Sequence, residues 1–443
     1  MGHILIERIR SWRRSHRLLV LLAVLSVTGG FGFWIAHHHF STIDHREQAR
    51  QAIERYDFDA AKEHLNASLA ARSEDGEAHF LLARVYRRGR IEDFAQAHHH
   101  LDDARRLGWS QLETALEGLM LAFQEQGTSK ETEKTLTGYT VAGESSAPLV
   151  FEALARGCIR ADRMDNANTW LNAWVERYPD DWYARLWRGA FFEYTAKANL
   201  AVPDFQSILE KWPDDEEIRL HLGLMLVQSG YNYGEALSHL ESYRQRHPDS
   251  PDALVGIAGC QRALRQAKSA RSLLEQVIAA HPDHVDALRI LASLALDEGN
   301  DDEALKWLRR LEPLAHRSHY FERLDRLSRL EPVPNNIDVP NQLREVFHLL
   351  AGVLHRKGRH EEAESYERQA YQLVADRDAV KQALAELEGK PHDADLMYRI
   401  ATLFFRLEMK EHGVTWLRHV LEERPGDPRA SEMLAKYSAS RKD

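Results

Sequence analysis

Prolines 179, 213, 248 and 282 divide the middle of the chain into segments of 34 or 35 residues, and each is followed by an aspartate: Tyr178-Pro179-Asp180, Trp212-Pro213-Asp214, His247-Pro248-Asp249 and His281-Pro282-Asp283. Pro391 and Pro425 stand the same distance apart further on. A period of this length constrains the fold more than any other feature. A unit of thirty-odd residues is one supersecondary element, too small to cover its own apolar side, so successive units must stack.

Between the prolines each unit reads as two amphipathic helices. In residues 251–282, Leu254, Ile257, Leu274 and Val277 form the apolar stripe at helical spacing. Small Ala258 and Ala270 stand where two helices approach closely, and Pro282 ends the second helix because its ring cannot continue it. The next unit repeats the scheme with Leu288, Leu291, Ala292, Gly299, Ala304, Leu308 and Leu311. Small residues, a turn position and a terminal proline at this period resemble the tetratricopeptide repeat family. The resemblance covers 45–75, 76–107, 148–179, 182–213, 216–248, 251–282, 285–316, 344–375 and 394–425. It implies an all-α fold, a right-handed α-solenoid of helix-turn-helix repeats over 44–330.

Several stretches depart from the pattern. Residues 76–107 carry extra residues in the turn around Arg90-Ile91-Glu92-Asp93-Phe94, and Gly413 replaces the expected alanine of the last unit. Residues 109–147 have a helical first half, but the second half, GTSKETEKTLTGYTVAGESSAP, is polar and is expected to be degenerate or a loop. Residues 317–330 and 376–389 read as extra helices outside the register. Pro332, Pro334 and Pro340 place an extended break at 331–340, before a shorter C-terminal array over 341–443. Residues 428–437 read as a capping helix.

The N-terminus has a different composition. Leu18 to Ala36 runs without a charge, long enough to cross roughly 30 Å of hydrocarbon as a helix. Residues 1–17 hold Arg8, Arg10, Arg13, Arg14 and Arg17 against Glu7. The positive-inside rule then expects 1–17 in the cytoplasm, 18–36 as a transmembrane signal anchor in the lipid bilayer, and the array outside the cytoplasm. A cleaved signal peptide is the rival reading, but no small-x-small cleavage site precedes Ala36-His37-His38-His39. Arg13-Arg14 is not read as a twin-arginine signal, because His16 and Arg17 follow.

The residues offer little chemistry. No phosphate-binding GxxxxGK[ST], nucleophile-elbow GxSxG or zinc-binding HExxH occurs, so neither an enzyme nor a cofactor is expected. Cys158 and Cys260, the two cysteines, read as small buried fillers and exclude a disulfide framework. The net charge of −10 argues against a nucleic-acid partner. Histidine is abundant, with triplets at 37–39 and 98–100. Consecutive helical residues point about 100° apart, and neither triplet has the HxxxH partner, so no metal site is expected. Trp170, Trp307 and Trp416 recur at one place in three units and read as packing between repeats.

The resemblance also implies a concave face made of first helices. Carried onto this chain, that face holds Arg84, Arg87, Arg88, Arg156, Arg160, Tyr183, Tyr194, Arg262, Arg289, His355, Arg356, Tyr398 and Arg406. Arginine forms bidentate bonds to carboxylates and stacks on rings, so the expected occupant is an extended, acidic polypeptide. Pairing of these arginines with glutamates of neighbouring repeats is the alternative. The acids Glu77, Glu217, Asp252, Asp286, Glu345 and Asp395 fall in first helical turns, where they offset the helix dipole. The lysine and asparagine of the family's carboxylate clamp are absent. The whole resembles single-pass, membrane-anchored bacterial proteins of this family, which implies a periplasmic scaffold for partner proteins or, alternatively, a fixed subunit of one membrane complex.

Overall fold

The repeat period has its origin in how these helices stop and start. Prolines 179, 213, 248, 282 and 425 each follow the end of a helix, and the residue two places later caps the next one. Asp181 accepts the amides of Tyr183 and Ala184, Asp215 that of Ile218, Ser250 that of Ala253 and His284 that of Ala287. Asp427, two residues after Pro425, does the same for Ala430. Such a cap is worth about 1 kcal/mol to its helix, so punctuation at this interval fixes where each one begins.

The computed structural model describes residues 45–89, 92–141, 145–161, 163–230, 232–315, 339–390 and 392–440. The described residues form α-helices and no strand. They fall into two compact units that divide between Trp174 and Val175.

In the first unit, α1 covers 45–54, followed by α2 (Phe58–Ala71), α3 (Gly76–Arg88), α4 (Phe94–Arg106), α5 (Gln111–Gln126), α6 (Lys130–Val141), α7 (Ala147–Arg160) and α8 (Met164–Arg177), in which the unit ends. Helices pack on their chain neighbours, and the first helices α3, α5 and α7 also touch in sequence. The second half of 109–147, expected to be degenerate or a loop, holds the helix α6, so this stretch is a helix pair with a polar second member. The Ser129 hydroxyl caps it at the Thr132 amide, and Thr135 and Thr137 turn their hydroxyls onto carbonyls four residues back. Its polar threonines are thereby satisfied within the helix. Leu136 is fully buried, and Glu133 accepts from Arg163 and Trp170.

The second unit holds α9 (Trp182–Tyr194), α10 (Ala198–Lys211), α11 (Glu216–Ser229), α12 (Tyr233–Arg246), α13 (Pro251–Ala263), α14 (Ala267–Ala280), α15 (Val285–Asp297) and α16 (Asp301–Ala315). It continues with α17 (Val339–Arg356), α18 (His360–Glu388), α19 (Ala394–Arg406), α20 (Lys410–Glu423) and α21 (Pro428–Ser440), the expected capping helix. One apolar core, from Leu254 to Leu407, draws on residues from both sides of the break expected at 331–340. Residues 331–338 lie outside the described ones, and Pro340 sits in the first turn of α17. A proline is tolerated in a first turn because its missing N–H would have no helical partner there. Ion pairs Arg356–Asp301 and Arg309–Glu362 and the Tyr366–Glu312 hydrogen bond bind α16 to the next pair. The helix expected separately at 376–389 is the continuation of α18, since neither proline nor glycine interrupts the chain between His360 and Gly389.

No helix among the described residues is long and apolar enough to cross a membrane. Residues 1–17 and 18–36, the 37–39 histidines and the extra helix expected at 317–330 lie outside the described residues.

Glycine marks the tightest approach in the first unit. Gly127 ends α5 with φ +67°, and a Cβ there would lie 2.0 Å from the Gly157 carbonyl oxygen. A Cβ on Gly157 would lie 2.6 Å from the Phe123 carbonyl oxygen. Gly157→Ala is expected to cost ~1–3 kcal/mol through overpacking. Gly138→Ala, which meets nothing within 4 Å, is expected to be neutral or to stabilise α6 by ~0.5–1 kcal/mol. Hydrogen exchange of the α5, α6 and α7 amides in the intact chain reads both.

Candidate functional site

Among the described residues, three of the places that gather charged or polar side chains are candidates for a site. The first lies where α3, α5 and α7 meet. Arg84, Arg87 and Arg88 leave the last turns of α3, Glu117 and Gln124 face them from α5, and Glu152, Arg156 and Arg160 come from α7. Arg87 donates to Glu117 at 2.6 Å and to Gln124 at 2.8 Å, and Arg84 donates to the other Glu117 oxygen at 3.1 Å. Arg88 donates to Glu152 at 2.7 Å, which also accepts from Arg156 at 2.9 Å. Glu92 accepts from Arg156 Nε at 2.9 Å, from Gln124 at 2.7 Å and from Arg160. The longer turn noted in 76–107 thus supplies a carboxylate to this network.

Arg87, Arg88, Arg156, Glu117 and Glu152 are buried. The guanidinium groups also lie over rings, Arg88 over Phe58 at 4.8 Å and Arg84 over Phe80 at 4.7 Å. The residues expected to form an arginine surface for an acidic ligand are therefore brought together, but their guanidinium groups are used within the chain. The reason is energetic. A buried guanidinium needs a carboxylate of its own, and removing one partner of such a pair costs about 3–5 kcal/mol.

The second place is a cleft of about 470 Å³ in the second unit, lined by α11, α13, α15 and α17. Its apolar wall is Leu224, Val227, Val255 and Ile290, and Gly256 and Gly259 keep α13 low. Its charged wall holds Asp252, Asp286, Glu345, Arg262 and Arg289. Arg289 pairs with Asp286 at 2.7 Å and Arg262 with Asp297 at 3.0 Å. The Asp286 carboxylate, with Glu345 adding to it, raises the Arg289 pKa despite burial. Three of the acids assigned above to helix dipoles thus line a ligand-sized cleft.

The other expected residues do not converge. Tyr183 and Tyr194 are buried, Tyr183 edge-on to Trp182 and Trp187. Arg356 holds Asp301, Arg406 holds the buried Asp376, and Tyr398 lies under Arg429 at 4.7 Å. His355 meets Glu367 at 3.1 Å and His360 at 3.1 Å. Trp307 is buried and Trp170 and Trp416 partly so, in keeping with packing. Both cysteines are buried and free, their thiols pushed up to about 12 at Cys158 and about 11 at Cys260, chiefly by burial.

The third place was not expected. His79 of α3 and His100 of α4 bring their Nδ1 atoms to 2.9 Å, and Asp103 Oδ2 lies 3.7 Å from His79 Nδ1. All three donor atoms lie within 4.8 Å of one another. The His98–His100 triplet does not aim three rings at one point, as its spacing requires. Its third member finds partners on another helix and one turn onward instead. The spacing His100-x-x-Asp103 is the one signal the sequence carried.

The segments 46–98 and 261–317 match one tetratricopeptide repeat family model and 226–277 another. These matches support the tetratricopeptide repeat family for the helix pairs, and repeats of this family support a protein-interaction scaffold. No curated protein matches the sequence. Among solved structures, the chain is similar to PilW, a widely conserved type IV pilus biogenesis factor, with 18% identity, 51% of this chain and 93% of that one covered, and a TM-score of 0.38. It is similar to MamA from Desulfovibrio magneticus RS-1 at 16% identity, covering 38% and 94%, with a TM-score of 0.33. It is also similar to the human IFIT1 dimer with m7Gppp-AAAA at 14% identity, covering 85% and 89%, with a TM-score of 0.41. Likenesses this loose carry no argument about function.

Burial pushes the Glu117 carboxyl up, but the charges and hydrogen bonds of Arg87 and Arg84 outweigh it and bring it to about 2. A carboxylate held below its ordinary value of 4.5 stabilises the fold fully above that pH and loses its contribution as pH falls towards 2. Glu117→Gln is expected to destabilise the α3–α5–α7 contact by about 3–5 kcal/mol at neutral pH. It should also flatten the stability–pH curve between about 4.5 and 2, read by urea unfolding across that range.

Proposed function

We infer that the chain is a membrane-tethered scaffold that holds an extended segment of a partner protein in the cleft of its second unit. The cleft carries this reading. Four first helices, from successive pairs, build one surface with apolar pockets beside a charged wall, which suits side chains alternating along an extended backbone. Repeats of this kind commonly present such surfaces.

Charge refines the expected occupant. Asp252, Asp286 and Glu345 outnumber Arg262 and Arg289 on the lining, and both arginines already hold carboxylates of the chain. An acidic segment would have to take them from Asp297 and Asp286. A segment with apolar residues and a basic residue instead brings a counter-charge to a lining that holds more carboxylates than guanidinium groups. The absence of a catalytic motif in the sequence supports a binding role without chemistry.

The N-terminal composition supports the tether: 18–36 spans the bilayer, 1–17 stays in the cytoplasm, and the repeats act on the periplasmic side. Deleting 18–36 is then expected to move the protein from the membrane to the soluble fraction. Ser440→Cys should react with an impermeant maleimide in intact cells, against low background from the buried Cys158 and Cys260. Labelling only after lysis would reverse the orientation.

For the cleft, a panel of displayed peptides tested against the full chain is expected to return segments with a basic residue among apolar ones. Glu345→Lys should weaken them by at least ~10-fold, about 1.4 kcal/mol, with helicity unchanged. Equal binding by wild type and variant would remove the cleft from the reading.

A further inference from the structure

We propose that His79, His100 and Asp103 form a binding site for a divalent transition-metal ion of the zinc class, clamped between α3 and α4. Two imidazole nitrogens and one carboxylate oxygen suit a borderline ion over magnesium or calcium, which favour all-oxygen sets. In a tetrahedral site with bonds of about 2.0–2.2 Å, ligand atoms stand roughly 3.3–3.5 Å apart. The separations of 2.9 Å between the Nδ1 atoms and 3.7 Å from His79 to Asp103 bracket that value, so small side-chain rotations admit the ion.

The outer contacts point the same way. His79 Nε2 lies 3.1 Å from the Ser73 carbonyl oxygen, which can only accept, so Nε2 carries the proton and Nδ1 presents its lone pair. A ligating histidine held by a backbone carbonyl is the usual second contact of a metal site. Arg106 bonds Asp103 through Oδ1, at 3.2 Å from Nε and 2.9 Å from Nη2, which leaves Oδ2 turned towards the histidines. His100 lies flat against Tyr86 at 5.5 Å, which sets its ring plane. Besides those rotations, the proton of His100 passes from Nδ1 to Nε2 without change of charge. The exposed His99, its Nε2 3.6 Å from Asp103 Oδ2, stands beside the fourth position.

The test is titration of the full-length protein in detergent with cobalt(II) chloride, followed by displacement with zinc chloride. One ion per chain is expected, with the visible absorption of a four-coordinate cobalt centre and a rise in thermal midpoint. His100→Asn, on the partly buried ligand, should abolish the band while helicity is kept. Arg106→Gln should weaken binding roughly 10–100-fold through the orientation of Asp103. His98→Ala, whose ring instead meets Glu125, should bind as wild type. Absence of the band in wild type, or a band unchanged by His100→Asn, overturns the site. A band removed only by replacing 37–39 would assign the metal to that triplet and overturn it equally.

Discussion

A pair of amphipathic helices leaves one apolar face with nothing to cover it but the next pair, and everything else in the described structure follows from that dependence. Coverage requires backbones to come close. Alanine and glycine therefore recur where helices come together, first with second at Ala258 and Ala270, first with first at Gly127 against Gly157. It also requires each helix to begin at a set place, which the proline and the capping side chain two residues later arrange.

The same stacking decides where charge can go. First helices that meet their neighbours along one side carry long side chains into the contact, and there an arginine is tolerated only with a carboxylate beside it. Arg87 and Arg88 with Glu117 and Glu152 satisfy this, and the network specifies which helices meet. Exposed pairs such as Arg262 with Asp297 obey no such requirement and contribute little to stability.

The architecture was legible because it is written in local signals. Prolines and apolar stripes at helical spacing placed most helices, and Ala258, Ala270, Ala292 and Ala304 are as buried as their positions implied. Two kinds of feature were not legible. Helix α6 lacks an apolar stripe, and it is held by the Ser129 cap, by buried Leu136 and by Glu133 meeting Arg163, contacts that period cannot show. Pairings between distant residues were equally hidden. Arg88 and Glu152 stand 64 positions apart, so the arginines looked available until the fold supplied their acids. His79 likewise meets His100 only because a turn brings α4 back along α3.

Helix α18 gives the second unit a different mechanical character from a chain of short hairpins. Its 29 residues extend about 43 Å, well past the end of its 18-residue partner α17. The overhang is where α19 docks, with Arg406 holding Asp376 near its middle. Two neighbouring repeats are thus joined by a stiff strut that runs on to the turn beginning at Gly389. A strain applied at the C-terminal end would pass along one continuous rod into the shared core before any hinge could absorb it.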